Sequence, residues 1–258
     1  MMLSACIEWL FKAEYEDFCE RIRAAKQAGL AAVEFHQWRN KPLDEVERTL
    51  AETGMPVTSF IVEPRCHLVD PNARESLLTA VRESLLVARR LKVPAMVVAS
   101  GPIIATASRA EQHQAMVANL RAAAPLVEDA GVTLILEPLN TRVDHPGLYL
   151  DGTVEGLDVI EEVDRPGVRL LYDMYHSTAM GERPEEVLGH RGHLVGYVQI
   201  ADSPGRHEPG SGEIDWPNYL AILKSKGYEG LIGLEYRPTG DTMESLRLTY
   251  KSLGLKSG

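Results

Sequence analysis

Four polar residues fall at the ends of apolar, β-branched runs in the second half of this 258-residue chain. The run VTLILEPLN ends on Glu137, VRLLYDMYH on Asp173, LVGYVQIAD on Gln199 and LIGLEYRP on Glu235. A carboxylate fixed at the end of a buried segment is costly unless it is paired or bound to a cation. Three together also raise one another's proton affinity. A divalent cation held by Glu137, Asp173, Gln199 and Glu235 resolves that conflict. The set is all oxygen, which suits Mn2+ or Mg2+ better than a zinc site built from Cys and His. His176 follows Asp173 by three positions, on the same face of a helical turn, and that neighbourhood favours a functional over a structural reading for it.

Around this group stand candidates for holding a substrate. The stretch DSPGRHEPGSGEID brings Arg206, His207 and Glu208 near the mouth. Arg206 offers a guanidinium for two-point contact with a carboxylate, and Arg237, two residues past Glu235, is its rival for that job. The GSG within the stretch lacks the frame of a phosphate loop, and Glu213 reads as part of a solvated turn. Trp9 and Phe11, after the first apolar run, and His67, after the third, read as pocket lining. Glu34, in the second run, reads as a partner within a packed layer rather than as a catalyst.

The elements that must position these residues alternate in kind. Short buried runs predict strands at Leu3–Ile7, Ala32–Phe35, Val57–Val62, Ala95–Ser100, Val132–Glu137, Val168–Asp173, Val195–Ile200 and Leu231–Tyr236. Amphipathic segments between them predict helices at Tyr15–Ala28, Pro42–Gly54, Arg74–Leu91, Ala110–Ala130, Thr153–Val163, Pro217–Gly227 and Thr242–Leu253, several opening on proline or closing on glycine. Past His176 the pattern is broken by Pro184 and several glycines, and no helix is assigned there. Strand alternating with helix means a parallel sheet. Eight such units in 258 residues predict an α/β fold closed into one (β/α)8 TIM barrel, a single domain over residues 1–258. In such a barrel the active site lies at the carboxyl ends of the strands, where the four polar residues fall.

Bulk composition narrows the partners. Lys plus Arg total 27 against 37 Asp plus Glu, a formal net charge of −10, which argues against nucleic acid. Cys6, Cys19 and Cys66 are scattered and odd in number, which points to reduced thiols and a cytoplasmic location. No stretch approaches the roughly 20 apolar residues of a membrane span, and the first residues do not read as a signal peptide. The expected partner is a small-molecule substrate, and the resemblance given next implies a hydroxy-carbonyl compound. Self-association into a homo-oligomer is open, since no interface can be read.

The blocks EPLNTRVDHPG, LLYDMYH, GYVQIADSPGRHEPGSGEID and GLEYRPTGDT, in that order, resemble the motifs of the hydroxypyruvate isomerase family, within the xylose isomerase-like barrels. The resemblance covers most of the chain and is strongest from Val132 to Thr242. It implies that Glu137, Asp173, Gln199 and Glu235 are metal ligands, that Glu137 and Glu235 are also the paired acid and base, and that His176 and Arg206 contact substrate. Many ketose 3-epimerases have histidine where this chain has Gln199, and glutamine is more like the hydroxypyruvate isomerases. The implied reaction interconverts hydroxypyruvate and tartronate semialdehyde through an enediolate. Its nearest rival is epimerisation at C3 of a free ketose. A non-catalytic carbohydrate-binding barrel is a further alternative. An endonuclease IV-like enzyme needs a histidine-rich zinc centre that eight His do not readily supply, and a Schiff-base aldolase needs a lysine at a strand end.

Overall fold

The computed structural model describes residues 2–256. Eight short parallel strands form its centre: β1 (Leu3–Cys6), β2 (Ala32–Glu34), β3 (Ser59–Ile61), β4 (Ala95–Ala99), β5 (Thr133–Glu137), β6 (Val168–Asp173), β7 (Val195–Ile200) and β8 (Ile232–Leu234). They are ordered β2-β1-β8-β7-β6-β5-β4-β3. The ring is closed between β2 and β3 by the bridge Val33–Val57 and by backbone bonds such as Thr58 N to Val33 O at 2.8 Å and Ile61 N to His36 O at 2.8 Å. The expected (β/α)8 barrel is therefore present. β6 and β7 match their predicted bounds, whereas β3 and β8 are shorter than the apolar runs containing them, although flanking residues still bond to neighbouring strands, Val62 N to Val97 O at 2.9 Å and Glu235 N to Ile200 O at 3.1 Å.

The helices are α1 (Phe18–Gln27), α2 (Leu43–Thr53), α3 (Arg74–Leu91), α4 (Arg109–Ala130), α5 (Thr153–Val163), α6 (Met174–Ala179), α7 (Pro184–Leu188), α8 (Trp216–Ser225) and α9 (Thr242–Ser252). Side chains fix the starts of several. Asp17 accepts from the Cys19 and Glu20 amides at α1, and Ser108 and Glu111 form a reciprocal capping box at α4. Gly131 ends α4 at φ +66°, in the left-handed region where a side chain is strained. The short helices α6 and α7 have no counterpart in the sequence reading; six and five residues are too few to show a period.

Two apolar bodies hold the barrel. The larger lies between strands and helices and includes Phe35, Phe60, Met96, Met116, Leu134 and Trp216. The smaller, Val97, Ile135, Leu171 and Tyr197, fills the barrel interior. It is the floor on which the polar layer stands.

Candidate active site

Strand alternation decides which residues face the barrel axis. Glu137 and Asp173 are the last residues of β5 and β6; Gln199 pairs in register with Asp173 on β7; Glu235 directly follows β8, its amide bonded to Ile200 O at 3.1 Å. One side-chain atom from each of Glu137, Asp173, His176 and Glu235 lies within 4.8 Å of the others. Asp173 also caps α6, its Oδ1 accepting the Tyr175 amide at 2.8 Å, so its Oδ2 is left to face the cluster.

The charge balance is uneven across the cluster. Burial, with Glu235 and Asp173 close by, pushes the Glu137 carboxyl well above the ordinary carboxylate range. Burial likewise raises Asp173, to about 7, even with Arg206 acting against it. Burial would raise Glu235 too, but the Arg206 guanidinium and the His36 ring outweigh it and hold that carboxyl well below its usual range. Arg206 Nη2 lies 2.7 Å from Glu235 Oε2 and 3.6 Å from Asp173 Oδ2, and His36 Nε2 lies 2.7 Å from Glu235 Oε1.

A carboxyl, Glu34, and an amide, Asn140, each orient one of these side chains. Glu34 is a buried carboxyl that accepts from Tyr197 OH at 2.5 Å, Gln199 Nε2 at 2.9 Å and Thr58 Oγ1 at 3.3 Å. Its Oε1 accepts the Gln199 nitrogen, which turns Gln199 Oε1 away, buried and without a hydrogen-bond partner in the protein. The expectation of a layer partner for Glu34 fits this geometry. β8 leaves room for the contact: a Cβ on Gly233 would lie 2.8 Å from Tyr197 OH and 2.9 Å from Glu34 Oε1. On the opposite wall, Asn140 Oδ1 accepts the Val143 and Asp144 amides at 3.0 and 2.9 Å, so its Nδ2 faces His176 Nδ1 at 2.7 Å. His176 Nδ1 is thus an acceptor, and the neutral ring carries its proton on Nε2. Burial and the Arg206 charge push the His176 pKa well below its usual value. Nε2 stands 3.4 Å from Asp173 Oδ2 and 3.7 Å from Glu137 Oε1.

A divalent cation fits these residues. Asp173 Oδ2 and Gln199 Oε1 are buried oxygens with no hydrogen-bond partner, which is costly in a protein interior unless something outside the chain satisfies them. The oxygens belong to a hard donor set of three carboxylates and one amide. The same cluster would repel itself without a positive charge beyond Arg206.

Above the cluster opens a cavity of about 620 Å³, lined in part by Trp9, Arg65, His67, His145, His176 and Arg206. Trp9 and His67 are part of this lining, whereas Phe11, expected beside them, is buried in the apolar core and does not line the cavity. The Arg206 guanidinium lies 4.5 Å over the Trp9 ring and 5.0 Å from that of Tyr175, held inside the carboxylate cluster. Arg237 is exposed and does not line the cavity; it lies against Trp9 at 5.1 Å, and its carbonyl takes His207 Nδ1 at 2.7 Å. Glu208 is buried on Thr239, at 2.5 Å from its hydroxyl, and contributes to the loop rather than to the cavity. Asp202 organises that loop, accepting from Gly210 N, Ile214 N and the Trp216 indole. Sequence reasoning missed Arg65, Asn140 and Asp202. Only the local turn formers around Asn140 and Asp202 hinted at their roles.

A parallel eightfold barrel with an oxygen-rich cluster at the carboxyl ends of its strands defines a class of barrel enzymes. The model of the family described as "Xylose isomerase-like TIM barrel" matches residues 22–252, and the chain belongs to that family. Hydroxypyruvate isomerase from Escherichia coli K12 is 30% identical, the match covering 96% of this chain and 97% of that one. The 2-oxo-tetronate isomerase of Cupriavidus necator is 32% identical over 89% of this chain and 90% of its own. Among solved structures, a family 2 AP endonuclease from Brucella melitensis superposes with a TM-score of 0.88 at 30% identity, covering 95% of this chain and 97% of that one. The chain is an isomerase. No helix among the described residues is long and apolar enough to cross a membrane.

Proposed function

We propose that this isomerase interconverts hydroxypyruvate and tartronate semialdehyde, or a four-carbon 2-keto acid and its isomer, by moving a proton between adjacent carbons. The observation that carries this reading is the convergence of Glu137, Asp173 and Glu235, with Asp173 Oδ2 and Gln199 Oε1 buried without a hydrogen-bond partner, at the base of an open cavity. The names of the two isomerase relatives support a sugar acid as substrate. The cavity of about 620 Å³ has room for more than three carbons.

In this reading Glu137, Asp173, Gln199 and Glu235 hold Mn2+ or Mg2+, which when bound supplies Lewis-acid polarisation of the substrate carbonyl and hydroxyl. One of the two glutamates removes the proton on the hydroxyl-bearing carbon, giving an enediolate. The other returns a proton to the neighbouring carbon. Their opposite proton affinities, Glu137 raised and Glu235 lowered, suit a pair that divides acid and base work. His176 Nε2–H donates to a substrate oxygen, oriented through Asn140. Arg206 neutralises the cluster. Arg65 makes no ion pair among the described residues and lines the mouth, so it is the guanidinium free to receive the substrate carboxylate.

The test is Glu137→Gln and Glu235→Gln, assayed for entry of solvent deuterium into hydroxypyruvate. Each variant is expected to lose exchange by about 10²-fold or more, the usual contribution of a positioned acid or base. Exchange at the unmodified rate in either variant would falsify the two-glutamate scheme. A panel of 2-keto acids and free ketoses then separates the sugar-acid reading from a ketose 3-epimerase.

A further inference from the structure

Beside the oxygen-rich cluster lies a second group of different character. Cys6 ends β1, in register with Glu34 of β2, and its thiol is buried. Cys6 Sγ lies 3.4 Å from His36 Nε2, and that same nitrogen lies 2.7 Å from Glu235 Oε1. One ligand atom from each of Cys6, His36 and Glu235 lies within 4.8 Å of the other two. The three come from β1, the end of β2 and the end of β8, which adjoin β1 on either side, so no local sequence pattern announces them.

We propose that Cys6, His36 and Glu235 form a soft-metal site that takes Zn2+ and inhibits the enzyme by capturing Glu235. One thiolate, one imidazole and one carboxylate are ligands Zn2+ favours, and Mg2+ and Mn2+ do not seek sulfur. Zinc bonds of about 2.3 Å to sulfur and 2.0 Å to nitrogen or oxygen at tetrahedral angles place S and N about 3.5 Å apart and N and O about 3.3 Å apart. The Cys6–His36 separation already fits. The His36–Glu235 contact must widen by about 0.6 Å, as follows when a cation replaces the proton those two groups share. The thiol proton leaves with it to solvent. His36 and Glu235 both line the cavity, which gives the cation a path to the site.

Metal capture rests on this geometry alone, while inhibition rests also on the role proposed above for Glu235. The experiment separates them. Co2+ titrated into Mg2+-saturated protein is expected to give a thiolate-to-cobalt charge-transfer band in the near ultraviolet, a band the sulfur-free cluster cannot produce. It should persist in Cys66→Ser, disappear in Cys6→Ser and weaken in His36→Gln, with melting curves showing that each variant is folded. Zn2+ added to Mn2+-saturated enzyme should inhibit, and Cys6→Ser should need more Zn2+ by at least the roughly 10–100-fold that losing even an outer partner of a metal costs. Absence of the band in the unmodified protein, or its survival in Cys6→Ser, overturns the site. A Cys6-dependent band with equal Zn2+ inhibition in both proteins overturns the inhibitory role. A Cys6-dependent band in a protein that turns over no 2-keto acid supports the site and counts against the proposed function only.

Discussion

Replacing Glu34 by Gln should reverse its effect on stability between acid and alkaline pH in the metal-free protein. Glu34 is buried, and burial, with Glu235 next, raises its pKa from 4.5 to about 7. Below pH 4.5 the carboxyl is neutral folded and unfolded and contributes nothing. Between 4.5 and about 7 the unfolded chain ionises while the folded one keeps its proton, so stability falls. Above 7 the full penalty stands: 2.5 pH units at 1.36 kcal/mol each, or about 3 kcal/mol. Glu34→Gln removes that penalty. It also sets an amide NH2 against Gln199 Nε2 and Tyr197 OH, leaving a donor unmatched at a cost of about 1–3 kcal/mol. The variant should therefore be less stable than the parent near pH 4.5 and equal or more stable near pH 8. At roughly 2–3 °C per kcal/mol for a chain of this size, the difference in melting temperature should swing by about 6–9 °C. Thermal melts of both chelated proteins from pH 4.5 to 8.5 measure it. Parallel curves would refute the assignment of Glu34 as a buried carboxyl that controls Gln199. Calorimetric titration with Mn2+ at pH 8 is the companion assay, with affinity expected to fall about 10–100-fold as the Gln199 carbonyl loses its orientation.

Chelation itself should destabilise the unmodified protein more at pH 8 than at pH 5, since raised Glu137 and Asp173 are neutral in the folded state at low pH and are forced to ionise beside each other at high pH; an equal melting shift at both pH values would contradict it. Arg65→Ala should raise KM for a 2-keto acid about tenfold or more with little change in kcat, the loss expected for a charge-assisted contact of about 1.5–3 kcal/mol; an unchanged KM assigns the carboxylate to another group. Asn140→Leu should lower kcat about tenfold or more, the scale of losing an outer-shell orienting group, because the His176 ring is then free to carry its proton on either nitrogen; retention of full kcat would remove His176 Nε2 as the donor. Asp202→Ala leaves the Trp216 indole and three backbone amides of the loop unmatched and should cost about 2–4 kcal/mol, measurable by urea denaturation.

The barrel and much of its polar rim were legible because their signals are local. A carboxylate ending a run such as VTLILE declares itself within six residues, and β6 and β7 sit within dense aliphatic runs whose ends coincide with turns. What could not be read is set by contacts across the ring. Glu34 meets Gln199 from 165 positions away, Arg206 reaches Glu235 across a loop, and Asn140 orients His176 from the preceding βα connection. Arg65 and Arg237 look equivalent as loop arginines; only the path of the chain after β3 and β8 puts one at the cavity and leaves the other outside. Helices α6 and α7 were invisible for want of length, although Asp173 carried both the strand end and the cap of α6.

The closure between β2 and β3 rests on a single bridge and a few flanking amides, while the other neighbours share longer registers. A ring with one thin joint has a preferred place to part. That joint lies across the barrel from β6 and β7, which carry Asp173 and Gln199. Local opening, read as fast amide exchange in β2 and β3, then leaves the staves bearing most of the acidic cluster locked to one another, so breathing of the cylinder and integrity of its chemistry are separated in space.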